Sequence, residues 1–142
     1  ACTKFESSTE NDIFVGEHDG YARFNDPVIH QREIVRSGSE FEIIDTLRCK
    51  QKHSIERCWH FSEHCEVFVS GRVVTAENNG VMIRIVAEDP STRVVSRTGS
   101  ESPIGGWVSR RFDVKTPATS VYFVDMINGT SVLRARIYCQ IS

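Results

Sequence analysis

The stretch SVYFVDMINGTSVLRARIYC, Ser120 to Cys139, decides the fold class. Its first half is β-branched and aromatic, with Val121, Phe123 and Asp125 on one face and Tyr122, Val124 and Met126 on the other. Being apolar on both faces, it reads as a central strand. Its second half alternates: Leu133, Ala135, Ile137 and Cys139 face one way, Arg134, Arg136, Tyr138 and Gln140 the other. Between the halves stands Asn128-Gly129, a strong short-range turn signal, so the two strands are expected to pair as a hairpin.

The same grammar runs outward in both directions. Ile13–Val15 and Tyr21–Phe24 are short strands broken by Gly16 and Gly20 and closed by the Asn25-Asp26-Pro27 turn. Val28–Val35, Phe41–Cys49, Ser54–Phe61 and Cys65–Ser70 follow. Val73–Ala76 meets Val81–Val86 across Asn78-Asn79-Gly80, a second hairpin signal. Arg93–Ser96 precedes a Gly/Ser/Pro-rich loop from Thr98 to Gly106, and Trp107–Val114 resumes the strands. No window carries the i, i+3, i+4, i+7 spacing of an amphipathic helix. About eleven strands at short, regular spacing predict an all-β, antiparallel two-sheet sandwich.

At 142 residues the chain suits one domain spanning 1–142. Nineteen acids against seventeen bases give a net charge of −2, which argues against a general binder of nucleic acid or membrane surface. No apolar run reaches the length of a membrane span, and no basic-then-apolar leader is visible. Because Ala1 rather than Met opens it, the chain is expected to be processed or cut from something longer. Five cysteines at irregular spacings, with no CxxC, read as free thiols with at most one bridge rather than a disulfide scaffold.

Three polar groupings invite chemistry. His53, Cys58, His60, His64 and Cys65 supply the donors zinc prefers, but their spacing lacks the tight Cys pairs of structural zinc sites, and a strand with a half-buried histidine is the better reading. Glu17-His18-Asp19-Gly20-Tyr21 sets an imidazole, carboxylates and a phenol beside a glycine, too locally to make an active site by itself. Arg93, Arg97, Arg110, Arg111 and Lys115 flank the Trp107 strand, and guanidinium forks beside an aromatic suit carboxylate or sulfate. Arg111 is expected to be exposed. Arg110, on the face of Val108 and Phe112 and so toward the core, is expected at a sheet margin or paired with an acid.

Four stretches in order resemble one family. His18-Asp19-Gly20-Tyr21 followed by Pro27-Val28-Ile29-His30-Gln31-Arg32 is similar to the "HDGY…P-x-x-H-x-R" passage of the heparinase II/III-like polysaccharide lyases. Ile43-Ile44-Asp45 is similar to the Val-x-Asp strand that follows there, and His53 to Phe61 to its His-x6-His-Phe/Leu strand. Gly106-Trp107 through Lys115-Thr116-Pro117-Ala118 is similar to its closing "GW-S-x-x-(F/Y)-G-V-K-x-P-A". Two departures stand out: Arg57 where the family carries an apolar residue, and Asp113 where it carries glycine.

The resemblance implies the C-terminal sandwich of an enzyme that cleaves acidic, uronate-containing polysaccharide by β-elimination, in the periplasm or outside the cell. The catalytic Tyr, His and Asn of such enzymes lie in an upstream α/α toroid and histidine passage. The chain is therefore expected to carry no catalytic residue, to support the toroid and to form one wall of the cleft. Arg111, Trp107 and Tyr21 are the substrate-binding candidates. Some members bind a metal through His and Asp, which makes His18 a ligand candidate for a zinc or calcium ion of the longer parent, with no cofactor in the chain by itself. The alternative reading is a free-standing carbohydrate-binding module without chemistry.

Overall fold

The structure, a computed structural model, describes residues 1–141. The chain runs through β1 (Cys2–Ser7), β2 (Asn11–Tyr21), β3 (Val28–Ser37), β4 (Glu40–Arg48) and β5 (Lys52–His60). It continues through β6 (Glu66–Ser70), β7 (Val73–Asn78), β8 (Val81–Ala87), β9 (Arg93–Thr98), β10 (Ser100–Glu101) and β11 (Ile104–Gly105). It ends with β12 (Trp107–Arg111), β13 (Val114–Pro117), β14 (Thr119–Asn128) and β15 (Ser131–Ile141). No helix occurs among the described residues.

Eight strands form one antiparallel sheet in the order β1-β2-β3-β4-β15-β8-β7-β6, and β5-β14-β9 form a second. Ile43, Val74, Ile85, Ala87 and Ala135 of the large sheet meet Val121 and Phe123 of β14 in the main core. A smaller cluster of Val28, Leu47, Ile127 and Leu133 closes one end of the same interlayer space. Face-to-face burial of two apolar sheet faces is what makes a sandwich stable.

Among the described residues the strand count is fifteen rather than about eleven. Gly16 does not break β2, because it pairs with Cys2 of β1 on one side and Arg32 of β3 on the other, and Gly20 falls in a register shift between His18 and Tyr21 that bends the strand without ending it. The loop from Thr98 to Gly106 folds into the small β10–β11 ladder, and the expected Trp107–Val114 strand turns back on itself as β12–β13. Gly106 opens that hairpin at φ 74°, where an added Cβ would overlap the carbonyl oxygens of Arg97 and Ala118. Only glycine fits there.

The Asn78-Asn79-Gly80 hairpin forms as expected: Asn78 pairs with Val81, and Asn79 and Gly80 take φ of 50° and 77°. The Asn128-Gly129 turn does not make a hairpin. β14 pairs with β5 and β9, whereas β15 pairs with β4 and β8, so this turn carries the chain from one sheet to the other. The reason lies in burial. A strand apolar on both faces gains more by sitting between two partners in its own sheet than by extending the sheet of its sequence neighbour.

Candidate functional site

β2, β3, β4 and β5 frame a groove of about 350 Å³ whose walls include Tyr21, Phe24, His30, Arg32, Asp45, His53 and Arg57. Alternation sets up its floor: on β4, Ile43, Asp45 and Leu47 point inward, and on β5, Ile55, Arg57 and Trp59 do. Asp45 thus sits fully buried, and Arg57 is only 5% exposed.

Two buried charges on apolar faces must find partners, and they do. Asp45 accepts from His30 Nε2 at 2.7 Å and, in a two-point fork, from Arg32 Nε at 2.7 Å and Nη2 at 3.0 Å. Arg57 Nη2 donates to Asp125 Oδ2 at 3.0 Å, and its Nη1 lies 3.9 Å from Asp45 Oδ2. Thr92 Oγ1 donates to Asp125 Oδ1 at 2.5 Å. Burial pushes the Asp45 carboxyl up, but the hydrogen bonds from His30 and Arg32 outweigh it and hold the carboxyl below its usual value. The floor is therefore a charge-compensated network of two carboxylates, two guanidiniums and an imidazole.

His18 extends this network to the surface, with its Nε2 3.1 Å from His30 Nδ1. With His30 Nε2–H donated to Asp45, His30 Nδ1 accepts from His18 Nε2–H. His18 Nδ1 in turn accepts the Gly20 amide at 3.2 Å. Both ring nitrogens of His18 are thus engaged, and a metal at His18 would have to displace one of these bonds.

At the groove mouth, Tyr21 and Phe24 are 42% and 50% exposed and stack with ring centroids 6.0 Å apart and planes 13° apart. The Arg23 guanidinium lies 5.1 Å from the Phe24 ring centroid and donates to the Gly20 carbonyl. Cys58 also lines the groove, where burial and Glu56 push its thiol up, away from thiolate chemistry.

The other expected contacts lie on the β12–β13 hairpin. Trp107 is half-buried, donates Nε1–H to the Ser100 carbonyl at 2.9 Å, and has Lys115 Nζ 4.1 Å from its ring centroid. Arg110 forks onto Glu63 at 3.0 and 2.9 Å, and Arg111 is exposed with no side-chain partner among the described residues. Phe112 corrects the expected core-facing side of this strand: it is 100% exposed, because the chain turns at Phe112-Asp113 instead of continuing as a strand. Arg97 lies over the Tyr122 ring and Lys115 binds Glu101, so most of the expected basic patch is spent on internal partners.

The His53 to Cys65 grouping disperses. His53 bonds Asp26 and His60 bonds Ser120, while His64 lies 3.7 Å from Glu63. All five cysteines are free thiols. The partners of Arg57 went unread in the sequence, although the signal was present: Arg57 and Asp125 each interrupt an otherwise apolar face.

The architecture is that of an antiparallel β-sandwich with a polar groove at one end of its interlayer core. Residues 1–135 match the family described as Heparinase II/III-like, C-terminal. The chain belongs to that family. The heparan sulfate lyase HepC of Pedobacter heparinus shares the fold at TM-score 0.84 and 15% identity, with 100% of this chain covering 22% of that one. A structure described as a heparinase III gene product aligns at TM-score 0.79 and 14% identity over 100% of this chain and 22% of its own. Another heparinase III aligns at 0.75 and 15%, over 99% and 21%. The chain thus spans about a fifth of the length of these solved structures. No curated protein matches it.

Proposed function

We propose that this sandwich is the C-terminal domain of a lyase that cleaves acidic, uronate-containing polysaccharide, and that it braces the catalytic domain and forms one wall of the substrate cleft. The observation that carries the wall role is the exposed Tyr21–Phe24 stack at the groove mouth, with Arg23 beside it. Exposed apolar surface rimmed by polar groups marks a binding groove. A flat aromatic pair offers a face to a sugar ring, and a guanidinium offers a fork to its carboxylate or sulfate. Arg111 and Trp107 supply a second contact region on the β12–β13 hairpin. An enzyme working on such a polymer acts in the periplasm or outside the cell. The proton-abstracting and carboxylate-neutralising groups belong to the upstream toroid, which acts on this substrate as a unit with the sandwich.

The test uses the 142-residue chain with heparin, heparan sulfate and alginate. No rise in the absorbance of unsaturated uronate is expected, and turnover above background would overturn the assignment of chemistry to the toroid. On heparin resin the chain should elute early and earlier still at moderate salt, because exposed ionic contacts are screened. Tyr21→Ala and Arg111→Ala should each elute earlier than the parent. Salt-insensitive elution identical for all three would remove this face from the cleft.

A further inference from the structure

At the edge of the groove, which His53 lines, the β2–β3 loop, the β4–β5 turn and the start of β5 bring together Asp26, Cys49 and His53. One donor atom from each lies within 4.8 Å of the others. The approach of Asp26 to the other two was not spelled out by local sequence, since it stands more than twenty residues before Cys49.

The cluster is held from outside. Asp26 is 7% exposed, and its carboxylate is aimed by the amides of Lys50 and Gln51, with Gln51 N 2.8 Å from Oδ2. His53 Nε2 also meets Oδ2, at 2.7 Å, while Oδ1 receives a single long contact of 3.2 Å from Lys50 N. Oδ1 therefore keeps acceptor capacity. The Cys49 thiol lies 3.2 Å from the carbonyl oxygens of both Gln51 and Gly129. Cys49 and His53 are separated by three residues across a tight turn, so the turn itself sets their mutual position.

We propose that Asp26, Cys49 and His53 form a divalent-metal site that takes zinc. A thiolate, an imidazole and a carboxylate are the zinc donor set, three protein ligands with a fourth position left for water or a carbonyl oxygen. Calcium and magnesium, which require six or more oxygen donors, do not fit a site with a sulfur and a nitrogen. Binding forms a metal–sulfur bond as the Cys49 S–H proton leaves to solvent. It also forms a metal–nitrogen bond at His53 Nε2, which gives up the proton it shares with Asp26 Oδ2 in the metal-free site; that hydrogen bond breaks, the imidazole keeps one proton, on Nδ1, and the ion takes the place of the lost proton between the two groups. No redox step is involved. The ion ties the β2–β3 loop, which carries the Phe24 side of the aromatic stack, to the turn that begins β5. This site is independent of the lyase reading and stands or falls without it.

Cobalt(II) titration of the 142-residue chain under reducing conditions reads the site directly. Saturation at one equivalent is expected, with a thiolate-to-cobalt charge-transfer band in the near ultraviolet that zinc bleaches. Cys49→Ser should lose the band, whereas Cys58→Ser and Cys65→Ser should keep it. A measurement on the unmodified chain guards against a variant that fails to fold: iodoacetamide labelling mapped by peptide mass spectrometry. Zinc should slow labelling of Cys49 by at least about tenfold while the exposed Cys2 and Cys58 label as before. Absence of the charge-transfer band in the parent chain, its survival in Cys49→Ser, or Cys49 labelling at the same rate with and without zinc would each overturn the proposal.

Discussion

Asp113 sits at the tip of the β12–β13 hairpin with φ at 57°, in the left-handed region that L-residues other than asparagine and aspartate rarely enter. The resembled family carries glycine at this point of its closing motif, and the backbone conformation here is the one glycine adopts without a steric penalty. The two Asn-Gly turns place their glycines in the same region, at 77° for Gly80 and 69° for Gly129. Asp113→Gly should therefore stabilise the chain by about 0.5–1 kcal/mol, the relieved left-handed penalty less the added unfolded-state entropy. Urea denaturation checks this, and an unchanged or lower midpoint would show that Asp113 gains a compensating local interaction.

Among the described residues, two ionic contacts tie the β12–β13 hairpin to its surroundings: Lys115 reaches Glu101 on the adjacent β10, and the Arg110 fork onto Glu63 reaches the β5–β6 connection. Arg110's hydrogen bond holds the Glu63 carboxyl at about 2, against an ordinary value of 4.5. A carboxylate depressed in the folded state contributes stability above its unfolded pKa and loses it as pH falls through the folded pKa. This tether is thus fully present above about 4.5 and is lost between there and about 2. Arg110→Ala should flatten the decline of the urea midpoint across that window and leave the neutral midpoint little changed, since exposed ion pairs contribute little there. A slope identical to the parent's would show that Glu63 does not titrate with the tether. The expectation that Arg110 pairs with an acid was right, while the strand's expected inward face was not, because the turn at Phe112 ends the alternation two residues on.

Across the whole molecule, Arg57 is the charged clamp between the layers. It stands on β5 of the small sheet, bonds Asp125 on neighbouring β14, reaches toward Asp45 on β4 of the large sheet, and lies over the Phe123 ring. Its Nε and Nη1 make no hydrogen bond, so the guanidinium is held by charge and packing more than by a full set of donors. Removing one partner of a buried charge pair strands the others in low dielectric. Arg57→Met should cost about 3–5 kcal/mol, and adding Asp125→Val to it should recover part of that loss. Chemical denaturation of the single and double variants reads the coupling. A double variant that loses as much as the sum of both singles would mean that the clamp is not a coupled unit.

The amino-acid sequence by itself determined what depends on neighbouring residues: the all-β class, the central character of β14, the alternation of β15, the Asn79-Gly80 hairpin and the family motifs. Strand periodicity and turn chemistry act over a few residues, so they are legible without a fold. Tertiary structure alone decided which sheet each strand joined, as the Asn128-Gly129 turn shows by linking two sheets rather than two partners in one. It also decided that Arg57 would meet Asp125 and Asp45, and that Asp26 would meet Cys49 and His53. Those encounters are settled by the competition to bury both apolar faces while pairing every buried charge, a condition on the whole chain that no local window contains.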